Sequence, residues 1–338
     1  MSRQLLKRLF IPVLIPATLV VISFLIPFWY PEYDAIVNYL KDEQGRLIAA
    51  PPFTPEEMPP FGSDRLGRNF ILLLLAGAKY TIFAALFISS MRIIFGFVFA
   101  VIYTFVPSFI GKAIRGLGET FQYIPLAIVV FAILIPLESS FQPGFLPSNE
   151  YFLIQLCVIA FIATPSLGIY LGEKMKLFLN EEFIQVSRTL GAGRFNIMKR
   201  HMLPQFLRHS IVLFSEQVAQ ALSLLIQLGI MLMALGGLKI AEFAYSNLDP
   251  SNPVYFSETN EWAATIGMNI QLIFSNPLLV LAPLAFFSLI ILCMNIISSQ
   301  LRKVLIEQEQ PLTKMKKAKV KEKRNVSAAS EELFTLKQ

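Results

Sequence analysis

Six predominantly apolar stretches, at residues 9–28, 80–106, 117–137, 151–171, 211–235 and 278–298, are separated by polar intervals. A bilayer core of ~30 Å needs ~20 such residues per helix. Each stretch approaches or exceeds that length, so the pattern predicts an all-α membrane protein with six transmembrane helices.

The polar intervals divide the chain further. A first helix at 1–28 leads into a segment at 29–79 whose Pro51-Pro52, Pro55 and Pro59-Pro60 argue against regular structure, with an interfacial helix at its end. A transmembrane body at 80–301 follows, interrupted by a polar island at 172–209. Residues 236–277 form a second long interval, punctuated by Asn247-Leu248-Asp249-Pro250-Ser251-Asn252-Pro253. The tail, 302–338, loses hydrophobic periodicity, and its run of Lys314, Lys316, Lys317, Lys319, Lys321, Lys323 and Arg324 is expected to be disordered, with weak adhesion to anionic lipid as its functional option.

Composition agrees with the pattern: 55% of the 338 residues are apolar and 15% charged, too lipophilic for an ordinary soluble domain. The first stretch follows Arg3, Lys7 and Arg8 like a signal peptide, but its apolar run is long and no small-residue cleavage site follows Pro27, so it reads as a retained helix. With the amino terminus inside, 22 of the 29 Lys and Arg residues fall on the cytoplasmic side. The outer side holds Lys41, Arg46, Arg65, Arg68, Lys79 and Lys239. The expected location is therefore the cell membrane, multi-pass, with both termini cytoplasmic. The net charge of +6 belongs to this topology, and no interleaving of aromatic and basic residues suggests nucleic acid. Cys157 and Cys293 both fall in apolar stretches and imply neither a disulfide framework nor a metal site.

Two motifs carry the functional reading. Gly62-Ser63-Asp64-Arg65-Leu66-Gly67-Arg68-Asn69 resembles the G-S/T-D-x-x-G-R-D/N signature that precedes the second helix in the dipeptide, oligopeptide and nickel permease family of ATP-binding-cassette (ABC) importers. Physically, Ser63 or Asp64 is placed to cap the next helix, and Asp64 with Arg68 has the favourable i, i+4 order for an ion pair. The second motif, Asn180 to Phe206, resembles the cytoplasmic loop of the same importers, on Gln185-Val186-Ser187, Gly191 and Leu203-Pro204. Glu261-Trp262 is similar to an element that precedes the family's last helix, and Trp262 is expected at the headgroup level.

Within the island, Glu181 and Glu182 suit a helix start, Gly191 a helix end, and a short helix from Arg194 to Met202 restarts before Pro204. Phe195, Met198 and Met202 at i, i+3, i+7 share a face bordered by Arg194, Lys199, Arg200 and His201. That face suits either a groove on a partner protein or an anionic lipid surface, and the match at Gly191, Arg200-His201 and Leu203-Pro204 favours the groove. Many relatives carry Glu-Ala-Ala where this chain has Gln185-Val186-Ser187, so no salt bridge is expected from position 185.

The membrane body raises two further points. Arg92 lies mid-span and is expected to face protein or water. Glu216, Gln220, Ser223 and Gln227 at i, i+4, i+7, i+11 form one helical stripe, which either lines a hydrated passage or makes interhelical hydrogen bonds with Glu216 neutralising Arg92.

The resemblance implies the second-type permease subunit of an importer of di- or oligopeptides, with the type I ABC importer permease fold and a cytoplasmic coupling helix. It further implies a homologous first-type permease, two ATP-binding-cassette ATPase subunits and an extracytoplasmic substrate-binding protein as partners. No G-x-x-x-x-G-K-S/T run is present, so ATP is expected to be bound by partner subunits and the chain to need no cofactor. His201 and His209 have no acidic companion placed for catalysis or a metal, and the chain is not expected to be an enzyme. The alternatives are an autonomous secondary transporter with Arg92 and Glu216 as a relay, or an ABC importer of nickel or another small solute.

Overall fold

The computed structural model describes residues 3–121, 123–140, 147–240 and 255–307. The turn expected at 247–253 and the basic run at 314–324 lie outside the described residues. Ten α-helices organise the described chain. They are α1 (Arg3–Trp29), α2 (Phe70–Phe105), α3 (Ser108–Phe121), α4 (Leu126–Ser140), α5 (Ser148–Leu179), α6 (Glu182–Thr189), α7 (Arg194–Ile197), α8 (Leu203–Ile230), α9 (Trp262–Asn269) and α10 (Leu278–Arg302). Two antiparallel ribbons qualify the all-α expectation: β1 (Leu40–Lys41) pairs with β2 (Leu47–Ala49), and β3 (Leu238–Ile240) with β4 (Tyr255–Ser257).

Five helical stretches among the described residues are long and apolar enough to cross a membrane: Arg8–Trp29, Phe70–Phe105, Ser148–Leu179, Arg194–Ile230 and Leu278–Leu305. The protein is a multi-pass membrane protein. The third expected span, 117–137, is not one helix. Pro125 stands between α3 and α4, and its ring disfavours the α conformation of Ile124. The helix restarts behind Pro125, whose carbonyl accepts from the Ile128 amide at 2.9 Å. At 1.5 Å per residue, the 15 residues of α4 reach about 22 Å, short of a full bilayer core.

Other boundaries move for local reasons. The second span begins at Phe70 rather than Tyr80, with no interfacial helix before it among the described residues. Asn69 caps it, accepting from the Leu72 amide at 3.4 Å, so neither Ser63 nor Asp64 is the cap. The fifth helix stops at Ile230 instead of Leu235, where Leu232 takes a φ of 61° and ends the α ladder.

The broadest packing joins α2 to α5; α8 packs against α2, and α10 against α8 and α1. The main core gathers Phe70, Leu74 and Ile88 of α2, Leu156 and Ile159 of α5, Leu222 of α8 and Phe287 of α10. Trp262 belongs to this core, fully buried, and is not an interfacial anchor. Its indole N–H donates to the Leu74 carbonyl at 2.7 Å and its backbone amide to Thr81 Oγ1 at 3.0 Å. Gly77 makes that approach possible, because a Cβ there would stand 1.9 Å from the Asn260 carbonyl oxygen. A second, smaller core lies at the other end of α5, where Ala100, Leu167, Leu171, Met175 and Leu179 meet Ile184, Ile197 and Met202.

Candidate functional site

The polar island folds as a joint bolted to the membrane helices by that second core. Glu181 is the N-cap residue of α6, and Glu182 puts negative charge in its first turn. At the other end, the Gly191 amide donates to the Arg188 carbonyl at 2.9 Å and the Ala192 amide to the Ser187 carbonyl at 3.0 Å. This is the double hydrogen bond of a glycine-terminated helix, and Gly191 supplies the left-handed φ of 86° that it needs. The expected stop at Gly191 is where the helix stops.

The restart differs from expectation. α7 is followed by a π-helical turn, Met198–Met202, and runs without a break into α8. Pro204 has no N–H and its ring crowds the carbonyl four residues back. The wider turn ahead of it absorbs that conflict without ending the helix. The joint is therefore a rigid extension of the fifth span, not a separate short helix.

This alters which side chains face outward. Met202 is buried, Met198 packs partly against the same core, and Ile197 is buried between them, whereas Phe195 is 70% exposed. The three do not share one outward face, because the π turn shifts the helical phase between Phe195 and Met202. The outward apolar surface belongs instead to Phe183, Val186 and Leu190, at i, i+3, i+7 on α6 and its cap, together with Phe195. The spacing of the first three is legible in the sequence.

The remaining joint residues take small structural parts. Gln185 Nε2 donates to the Leu179 carbonyl at 3.2 Å, satisfying a group at the C-terminal end of α5; a carboxylate could not donate there. Ser187 Oγ donates to the Phe183 carbonyl at 2.8 Å. The Arg194 guanidinium lies 5.8 Å from the Phe105 ring centroid, and the His201 ring meets Phe183 edge-on at 5.9 Å. Arg200 and Pro204 are exposed and Leu203 is half-buried at the start of α8.

The stripe on α8 also comes together as expected from its spacing. Glu216, Gln220, Ser223 and Gln227 line one groove of about 540 Å³, whose other wall includes Ile291 and Asn295 of α10. Gln220 and Gln227 are exposed to it. Glu216 does not neutralise Arg92. Its carboxylate accepts from Ser298 Oγ at 2.9 Å and forms an ion pair with Arg302. Ile291, Asn295, Ser298 and Arg302 repeat on α10 the same i, i+4, i+7, i+11 spacing, so two helices present matched stripes. Arg92 is 4% exposed, and its Nε has no hydrogen-bond partner among the described residues.

At the far pole, the signature around Asp64 is a packed turn. Asp64 Oδ1 accepts from the Leu66 and Arg68 amides at 3.0 and 2.9 Å, while Oδ2 accepts from Arg68 Nε at 2.8 Å and pairs with Nη2 at 2.6 Å. The expected i, i+4 ion pair is present and buried. Nearby, Lys239 and Ser148 hydrogen-bond to Glu258 and hold its carboxyl below the usual range. Glu261 is fully buried as the N-cap of α9, receiving the Ala263 and Ala264 amides at 2.8 and 2.7 Å; burial pushes its carboxyl up to about 7 against those donors. Among the described residues no group of three His, Cys, Asp or Glu is placed to hold a metal ion.

No family model matches the chain. It is 24% identical over 245 residues to the dipeptide transport system permease protein DppC of Alkalihalophilus pseudofirmus, covering 72% of this chain and 70% of the relative. It is 23% identical over 251 residues to the peptide transport system permease protein SapC of Haemophilus influenzae, covering 74% of each. The SapC protein of Salmonella typhimurium is 24% identical over 248 residues, covering 72% of each. These similarities bear out the resemblance read from the two motifs: over about three quarters of its length the chain is similar to permease proteins of peptide transport systems.

Proposed function

We propose that this chain is the second-type permease subunit of an ATP-driven importer that carries di- or oligopeptides across the cell membrane by alternating access. The observation that carries this reading is the similarity, over about three quarters of both partners, to permease proteins named for dipeptide and peptide transport. The chain acts as a conduit and not as an enzyme. Nucleotide is bound by two ATPase subunits, a sister permease completes the passage, and an extracytoplasmic binding protein delivers the peptide. Both termini and the joint face the cytoplasm in this reading, an orientation that the distribution of basic residues supports and that needs α4 to make a sixth crossing.

The joint's geometry supports the coupling role. Exposed Phe183, Val186, Leu190 and Phe195 form an apolar surface suited to a groove on an ATPase, and Ile184, Ile197 and Met202 beneath it are packed onto α5 and α2. Motion imposed on α6 therefore reaches the membrane helices through close-packed contacts. Driving a two-state equilibrium from 1:99 to 99:1 takes ~5.5 kcal/mol of differential binding, within reach of a nucleotide-gated interface.

Reconstitution tests the proposal. The chain, a sister permease, the ATPases and a binding protein are assembled in liposomes and uptake of a labelled dipeptide is followed. ATP-dependent uptake that needs every component is expected. Uptake by the purified chain alone, driven by an ion gradient, would identify a secondary transporter instead.

A further inference from the structure

Glu216 occupies a position that the passage alone does not explain. Its carboxylate lines the groove of about 540 Å³ between α8 and α10 and also lines a second cavity, of about 330 Å³, at the joint end of the same helices. That second cavity is walled by Tyr170 and Phe178 of α5, Phe206 and His209 of α8, and Arg302 of α10. Glu216 is thus common to both spaces, and its ion pair with Arg302, joined by Ser298 Oγ donating at 2.9 Å, ties α8 to α10 at that point. On one side of the pair the polar wall residues, Gln220, Ser223, Gln227 and Asn295, are neutral and stand among apolar ones. On the other side the walls are mostly apolar and aromatic, and Lys174, His209 and Arg302 add basic groups.

We propose that the Glu216–Arg302 pair is the cytoplasmic barrier of the passage, closed when the two side chains meet and open when α8 and α10 separate. This rests on the reading of the groove as part of a peptide passage. The chemistry of the pair suits a barrier better than a staple. Arg302 keeps 54% and Glu216 28% of its side chain exposed, and an ion pair so open to water adds little to fold stability. It can break at small cost, yet while made it joins the two helices across the neck between the spaces. Each partner sits on a different helix, so a relative displacement of a few ångströms takes the charges out of contact. Beyond the pair, the amides of Gln220, Gln227 and Asn295 offer neutral hydrogen bonds to the backbone of any peptide.

The test uses the assembled transporter in inverted membrane vesicles, with Cys157→Ser and Cys293→Ser as background and a reporter cysteine at Gln220. A membrane-impermeant maleimide is applied from the cytoplasmic face, with and without trapped nucleotide. In the nucleotide state where the parent reporter is protected, Glu216→Gln and Arg302→Gln are each expected to raise the labelling rate about tenfold or more. The exchanged variant, Glu216→Arg with Arg302→Glu, is expected to restore protection, which separates loss of a barrier from general loosening. If the reporter changes accessibility with nucleotide but neither single variant alters its protection, the barrier is refuted and the passage stands. A reporter inert from both faces in every state removes the passage and the barrier together. Single variants that label fast while the exchanged variant also labels fast would equally overturn the proposal, because pairing would then not be what closes the neck.

Discussion

Replacing Asp64 by alanine isolates the interaction that fixes the turn ahead of α2. The carboxylate accepts two backbone amides, those of Leu66 and Arg68, and makes two contacts to the Arg68 guanidinium, at 2.8 and 2.6 Å. The two side chains are only 10% and 8% exposed, so water cannot replace those partners without opening the turn. Removing one member of a buried pair costs about 3–5 kcal/mol, because the remaining charge is left uncompensated. Removing both partners costs less, since no bare guanidinium remains buried. Asp64→Ala is therefore expected to lower stability by about 3–5 kcal/mol, and Asp64→Ala with Arg68→Ala by less than Asp64→Ala alone. Denaturant titration of the purified chain in mild detergent, followed by tryptophan fluorescence from buried Trp262, measures all the variants of the cycle. A double variant that loses the sum of the two single losses, or an Asp64→Ala protein within about 0.5 kcal/mol of the parent, would refute the reasoning.

Other predictions follow from the joint and the outer pole. Leu190→Asp, on a side chain 82% exposed, is expected to leave folding unchanged while reducing co-purification of the ATPases several-fold; Ile184→Asp, on one fully buried, is expected to destabilise the chain itself, and equal behaviour of the two would contradict the assigned faces. A Cβ at Gly191 meets no neighbour within 4 Å, so Gly191→Val acts chiefly through backbone strain, about 1–2 kcal/mol at the φ of 86°; ATPase capture and dipeptide uptake should fall with membrane insertion unchanged, and unaltered coupling would discard the glycine's role. Glu261, raised to about 7 by burial, holds in the folded state a proton that the unfolded chain releases near pH 4.5. Its contribution to stability is thus greatest at or below pH 4.5, declines as pH rises through about 7, and is flat above. Glu261→Gln should flatten that slope in a pH series of melting curves; an unchanged slope would show that other groups set it.

The sequence by itself determined the class, the family resemblance and the local motifs. Runs of apolar residues are legible one helix at a time because each span must satisfy its own backbone in lipid. The stop at Gly191 and the ion pair between Asp64 and Arg68 are local events whose partners lie within a few residues, so spacing alone announces them. The stripe from Glu216 to Gln227 was visible for the same reason.

Tertiary structure decided whatever depends on a neighbour distant in sequence. Glu216 meets Arg302, and the groove's second wall is Asn295 and Ile291, because α10 lies beside α8; no periodicity within either helix states that they are adjacent. Trp262 is a core residue and not a membrane anchor because glycine at 77 lets the α9 loop reach the backbone of α2, a contact across 188 positions. The third expected span divides beside Pro125 into two helices, whereas Pro136, Pro165 and Pro283 are carried within theirs; whether a proline ends a membrane helix depends on how its surroundings satisfy the freed carbonyl, which the sequence does not state. At the joint, the π turn before Pro204 rotated Met198 and Met202 inward and left Phe195 outside, a phase change that a fixed 3.6-residue period does not represent.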